Sequence, residues 1–158
     1  MADGNAPTGP RQQELLERAY AYALAHGLGG ISLRPLAEAI DSSPRVLLFL
    51  FGSKHGLLRA LLERARRDEL EFVAGIRARA GEPDLAATGC AVWEWLAADE
   101  HRALLRLWVE AYAQSLVDPD GPWAGFARAT VEDWLALLAA AQAPNVRGTD
   151  RGLAQRTL

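Results

Sequence analysis

SLRPLAEAIDSSPRVLLFLFGSK, residues 32–54, reads as two short helices around a tight turn. Ser32 stands where an N-cap hydroxyl accepts an early backbone N–H. Leu33, Leu36, Ala37 and Ile40 then recur at helical spacing. Asp41-Ser42-Ser43 interrupts the pattern, because these side chains compete for backbone hydrogen bonds. Ser43 can cap a second helix with Pro44 at its first position, where a missing N–H costs nothing. Leu47 and Phe51 lie four apart and share a face, Gly52 ends the helix, and Ser53 caps the next. Helix, short turn, helix is the helix-turn-helix pattern.

Outward from this segment the helical pattern continues in both directions. Residues 1–10 are Gly-, Pro- and polar-rich and are expected to form a disordered arm. A first helix is expected over about 11–26, with Leu16, Ala19, Tyr20, Ala23 and Leu24 as its buried stripe and Gly27 as its C-cap. Downstream, a long helix starts near Ser53 and reaches about Ala80, and Gly81-Glu82-Pro83 ends it. A fifth helix spans about 84–98, with Ala86, Cys90, Trp93 and Ala97 on one face and Leu96 beside them. A sixth spans about 100–117 through Leu104, Leu107, Trp108, Ala111, Tyr112 and Ser115. Asp118-Pro119-Asp120-Gly121-Pro122 is a strong break. A seventh spans about 123–142, with Trp123, Phe126, Ala127, Thr130, Val131, Trp134, Leu137 and Leu138 on one side. No strand pattern occurs, so the expected class is all-α: a three-helix N-terminal bundle with the helix-turn-helix, then a helical C-terminal body.

The helix-turn-helix segment resembles the DNA-binding domain of the TetR family of one-component transcriptional repressors. The resemblance covers about residues 11–65 and is carried by Gly27, Ser32, Arg34, Leu36, Ala37, Leu47, Phe51, Gly52, Ser53 and Lys54. It implies that the second helix of the motif enters a DNA major groove. The DNA-contacting set it implies is Ser32, Leu33, Arg34, Ser43, Pro44, Arg45, Val46, Leu48, Phe49 and Lys54. Arg45 is the one side chain of the recognition helix able to make bidentate contact with guanine, while Arg34 and Lys54 match phosphate-contacting positions. The chain departs from the family where Leu48 or Phe49 replaces a frequent Tyr and Leu50 a frequent His. VLLFLF thereby loses polar donors, although apolar side chains can still meet thymine methyl groups.

The resemblance further implies a palindromic operator in double-stranded DNA, a homodimer to read its two half-sites, and a small lipophilic or aromatic inducer in the body. All five tryptophans lie in the C-terminal part. Trp93, Trp108, Tyr112, Phe126 and Trp134 are the candidate ligand residues, with Glu94, Glu110 and Gln114 as polar partners. Aromatic residues at this spacing also read as ordinary core. The expected domains are the arm 1–10, the DNA-binding domain 11–55, a regulatory domain 56–143, and 144–158 as a linker or the start of a dimerisation helix. TetR-like chains usually continue for two more long helices. A truncated chain, or dimerisation through another face of helices 6 and 7, are the two readings of that difference.

Charge and composition fit this picture. Residues 11–67 carry nine cations against five acids, and residues 68–158 carry eight against fourteen, so the basic end is the one expected to meet phosphate. Arginine occurs sixteen times and lysine once, at Lys54, which suggests GC-rich coding with one retained lysine at the end of the motif. No run of about twenty apolar residues implies a membrane span. The N-terminus lacks an apolar signal core, and a lone Cys90, expected to pack within helix 5, suits a reducing cytoplasm. His26, His55 and His101 lack ligand-spaced partners, and no phosphate-cradling glycine loop is present, so neither an enzyme, a metal site nor a cofactor is expected. The rival reading is a helical ligand-binding or interaction module that has lost operator binding, motivated by VLLFLF.

Overall fold

The computed structural model describes residues 9–79 and 84–142. Within them the helices are α1 Pro10–His26, α2 Leu33–Ala39, α3 Pro44–Phe51, α4 Lys54–Arg79, α5 Leu85–Ala97, α6 Arg102–Val117 and α7 Phe126–Ala140. A 3₁₀ turn, Asp99–His101, leads into α6, which therefore starts two residues later than its periodicity suggested. No strand occurs among the described residues, as the all-α class requires. The expected arm 1–10 ends sooner than its composition suggested, since Pro10 is the first residue of α1; its residues 1–8, the stop at Gly81-Glu82-Pro83 and the linker from 144 lie outside the described residues.

Backbone contacts divide the chain into two units. One joins the chain up to Arg66 with Ala103–Ala127; the other joins Arg67–Arg102 with the chain from Arg128 onward. This division does not follow the expected boundary at residue 55. The start of α4 and nearly all of α6 group with α1, α2 and α3.

In the first unit, caps set the helix-turn-helix. Ser43 Oγ accepts the Val46 N–H at 3.2 Å with Pro44 in the first turn. Ser53 Oγ accepts the Gly56 N–H at 2.9 Å and so starts α4. Ser32 is the N-cap of α2 by backbone conformation, but its hydroxyl makes no cap bond, contrary to expectation. Asp41 closes the turn at φ 53, in the left-handed region that Asp tolerates better than most residues. The core is built from Leu15, Leu36, Leu47, Leu57, Leu61 and Leu107, all fully buried. Each contributes about 1.5–3 kcal/mol relative to exposure. Leu15, absent from the expected stripe of α1, is buried, whereas Leu24 is only half-buried.

α1 is the polar hub of this unit. Gln12 Nε2 donates to the Leu50 carbonyl at 2.9 Å, which satisfies an orphan carbonyl near the end of α3. Arg18 donates to the Ile40 carbonyl at 3.4 Å, at the C-cap of α2. Arg64 Nε on α4 sits 2.9 and 3.0 Å from the two Glu17 carboxylate oxygens, with its guanidinium 4.7 Å from the Tyr20 ring centroid. α6 grips the far end of α1. Arg106 donates to the Leu24 and Ala25 carbonyls at 2.7 and 3.0 Å. Glu110 accepts from Leu28 N–H at 2.6 Å and Gly29 N–H at 3.3 Å.

Two glycines make those approaches possible. Gly27 has φ 85 and ψ 170, and a Cβ there would stand 2.7 Å from a Glu110 carboxylate oxygen. A Cβ at Gly56 would stand 2.0 Å from the Phe51 carbonyl oxygen, so the end of α3 passes close over the first turn of α4 only because residue 56 has no side chain.

The second unit packs Val73 and Ile76 of α4 against Leu137 of α7, with Phe72, Val92 and Trp134 around them. Phe72 stacks on Trp95 at 4.0 Å between centroids, Trp95 on His101 at 3.8 Å, and Trp134 tilts against Phe72 at 5.7 Å. This arrangement corrects the expected face of α5. Ala86, Cys90, Trp93 and Ala97 face solvent, with Trp93 70% exposed, while Thr88 is buried and Val92, Trp95 and Leu96 are half-buried. Cys90 is a free, exposed thiol and does not pack in the core. α5 is apolar almost all round, so its periodicity could not choose the inner face; the ring stack does. α7 begins at Phe126, because Gly125 at φ 76 breaks the helix. Trp123, in the preceding turn, is nevertheless buried. Val131, expected on the inner side of α7, is exposed.

Candidate nucleic-acid interface

α3 turns Leu47 inward and leaves the opposite face in water. Leu47 is 1% exposed, whereas Phe49 is 86%, Leu48 40% and Val46 38% exposed. Arg45 is also exposed and lies one helical turn before Phe49, so the two share the outward face. Ser43 and Pro44 are half-buried at the start of α3, where the Ser43 hydroxyl is occupied as the cap. On α2 and its cap, Arg34 and Ser32 are exposed and Leu33 is half-buried. Lys54 is exposed at the first residue of α4. α2 packs on α3 and α1 on α2, so the motif is one packed piece rather than two loose helices.

Ion pairing separates the cations of the motif from others of the unit. Arg11 and Arg18 pair with Glu14 at 2.8 and 3.0 Å, and Arg64 pairs with Glu17. Among the described residues no acid lies within ion-pair distance of Arg34, Arg45, Lys54 or Arg59. Residues 42–62 contain Arg45, Lys54 and Arg59 and no acid at all. Such an arrangement can meet a polyanion without first breaking internal pairs.

The candidate ligand residues are spread over both units. Trp108 and Phe126 are buried and Tyr112 is half-buried in the first; Trp134 is half-buried and Trp93 exposed in the second. Of the polar candidates, Glu94 is exposed and Gln114 half-buried, while Glu110 is committed to the Leu28 and Gly29 N–H groups. Sequence reasoning missed Glu69, which is fully buried and accepts a hydrogen bond from Thr130 Oγ1 at 3.3 Å. Its signal was an acid three residues before Phe72 on the inner side of α4. Also missed was an open cleft of about 460 Å³ in the first unit, lined by Arg18, Ala21, Tyr22, His26, Ala39, Ile40 and Asp41. Among the described residues no three His, Cys, Asp or Glu side chains converge as a metal site. No helix among them is long and apolar enough to cross a membrane.

No known family pattern matches the chain, and no protein of curated function does. Its structure is similar to the crystal structure of the multidrug binding protein EbrR complexed with imidazole, with a TM-score of 0.68 and 23% sequence identity. The likeness covers 93% of this chain and 79% of that one. The fold is TetR-like. At this identity the likeness establishes architecture alone.

Proposed function

We infer that the chain is a TetR-like DNA-binding transcriptional regulator, a repressor that binds a palindromic operator as a homodimer. The observation that carries this reading is that Arg34 on α2, Arg45 on α3, and Lys54 and Arg59 on α4 are exposed without acidic partners among the described residues, while Arg11, Arg18 and Arg64 of the same unit are paired. Arg45 addresses base edges, and Arg34 and Lys54 address phosphates. Ser32, Leu33, Ser43 and Pro44 set the approach of the two helices. A DNA-binding domain at about 11–55 and a regulatory body after it remain the functional division that goes with this reading. A small lipophilic or aromatic ligand in the body releases the DNA by binding the non-DNA conformation better, since only differential affinity shifts the two states. Trp108, Tyr112 and Phe126 are its proposed contacts if it sits in the first unit, and Trp93 and Trp134 if it sits in the second.

The test is fluorescence anisotropy of the purified chain on duplex DNA from its own upstream region, over a series of salt concentrations. Affinity is expected to fall steeply with salt, and Arg45→Ala and Lys54→Ala each to weaken it. Sedimentation of the complex is expected to show two chains per duplex. Absence of salt-sensitive binding to any upstream duplex sinks the reading.

A second reading is favoured by one observation, the 86% exposure of Phe49 on an apolar helix. It makes the chain an interaction module that keeps the fold without an operator. DNA retention indifferent to both Arg45→Ala and Lys54→Ala would favour it.

A further inference from the structure

The outward face of α3 combines two properties that seldom occur together. It is apolar, with Phe49 at its centre and Leu48 and Val46 on its flanks. It also carries Arg45, and Arg34, Lys54 and Arg59 are exposed on α2 and α4, the helices before and after it; for none of the four does an acid lie within ion-pair distance among the described residues. An apolar protein partner would satisfy the phenylalanine but would have to strip water from the surrounding cations. A nucleic-acid backbone alone would satisfy the cations and leave the phenylalanine in water. Duplex DNA read through its major groove satisfies both. Its rim is phosphate, and the one apolar group on its base edges there is the C5 methyl of thymine.

Resting on the DNA-binding reading, we propose that Phe49, flanked by Leu48 and Val46, is the specificity-determining residue of this chain and reads thymine methyl groups. Arg45, one turn earlier on the same face, fixes the register by contact with guanine or phosphate. The face offers no hydroxyl, amide or imidazole between Arg45 and Phe51, so hydrogen-bonded base readout rests on Arg45 alone. Each half-site therefore carries one or two thymines opposite Phe49, and discrimination there is by methyl burial.

The experiment starts from a randomised duplex pool enriched on the purified chain. The winning duplex is synthesised with each thymine replaced in turn by uracil, which removes the methyl and leaves base pairing intact. Uracil at one or two positions per half-site is expected to weaken binding about fourfold per methyl group, the value of burying one such group. Phe49→Ala is expected to bind thymine and uracil duplexes equally, while Arg45→Ala binds more weakly yet still prefers thymine. Since Phe49 lies in solvent, its replacement should leave the helical melt unchanged, and Phe49→Gln repeats the test with a longer side chain. Equal binding of thymine and uracil at every position overturns the proposal. So does a thymine preference that survives in Phe49→Ala, or a lower sedimentation mass of DNA-free Phe49→Ala, which would place a second copy on this face. Failure of any duplex to enrich overturns the DNA-binding reading as well, and is distinguishable from binding that ignores the methyl.

Discussion

Glu110 on α6 accepts the backbone N–H of Leu28 at 2.6 Å, across 82 residues of sequence. The same carboxylate takes the Gly29 N–H at 3.3 Å, while Arg106, one turn earlier, holds the Leu24 and Ala25 carbonyls. Residues of another helix thus bond the end of α1, beside its own His26, whose Nδ1 lies 3.0 Å from the Tyr22 carbonyl oxygen. Glu110→Ala leaves a part-buried N–H without its charged acceptor and is expected to destabilise by about 1–3 kcal/mol. Urea denaturation measures this. Arg106→Ala, at an exposed pair of bonds, is expected to cost less than about 1 kcal/mol. A Glu110→Ala midpoint equal to that of the parent would mean that water replaces the carboxylate without loss.

Neighbouring positions on α3 should behave oppositely. Leu47 is 1% exposed and Phe49 86% exposed. Leu47→Ala is expected to lose about 2–5 kcal/mol, as large-to-small core changes do. Phe49→Ala is expected to stay within about 0.5 kcal/mol of the parent. Thermal melts of the two variants separate the roles, and a large loss in Phe49→Ala would show that the residue is packed.

The glycines divide the same way. Gly27→Ala meets both a positive φ and the Glu110 carboxylate, and Gly56→Ala meets the Phe51 carbonyl, so both are expected to destabilise by more than about 1 kcal/mol. Gly89 lies within α5 with open space where a Cβ would go. Gly89→Ala is expected to stabilise by about 0.5–1 kcal/mol, by helix propensity and a smaller unfolded ensemble. A melting temperature for Gly89→Ala below that of the parent would refute this placement.

Asp41 tests the turn itself. Its φ of 53 suits glycine better than aspartate, and its carboxylate, 91% exposed, lies 3.7 Å from Arg18. Exposed pairs of this kind contribute little. Asp41→Gly is therefore expected to be neutral or slightly stabilising, and Asp41→Val to destabilise by about 1–2 kcal/mol, because a β-branched side chain resists the left-handed region. Denaturation curves of both variants decide it. Equal stability of Asp41→Val and the parent would mean that the turn can relax to another conformation.

Much was legible in the chain because its signals are local. Ser43 before Pro44, Gly52 after Phe51 and Ser53 before α4 act within a single helical turn, and the structure uses each where the sequence places it. The inward set of α3 was legible too, since Leu47 and Phe51 share a face on any helix. The identities of Arg34, Arg45 and Lys54 could be read directly. Their lack of acidic partners could not, because it depends on where Glu14 and Glu17 turn after folding.

By itself, the sequence determined an all-helical chain, the helix-turn-helix with its caps, and the break after α6, since capping and periodicity act over a few residues. Only the tertiary structure decided the inner face of α5, the burial of Trp123 outside its expected helix, the missing side-chain bond at Ser32, and the partners of Glu110, Arg106 and Gln12. The reason is physical. A helix that is apolar on every side, such as α5, can bury more than one face at similar free energy, and a polar side chain can cap any orphan backbone group that folding brings within reach. Which face and which group depend on contacts up to 82 residues apart, and no local pattern encodes them.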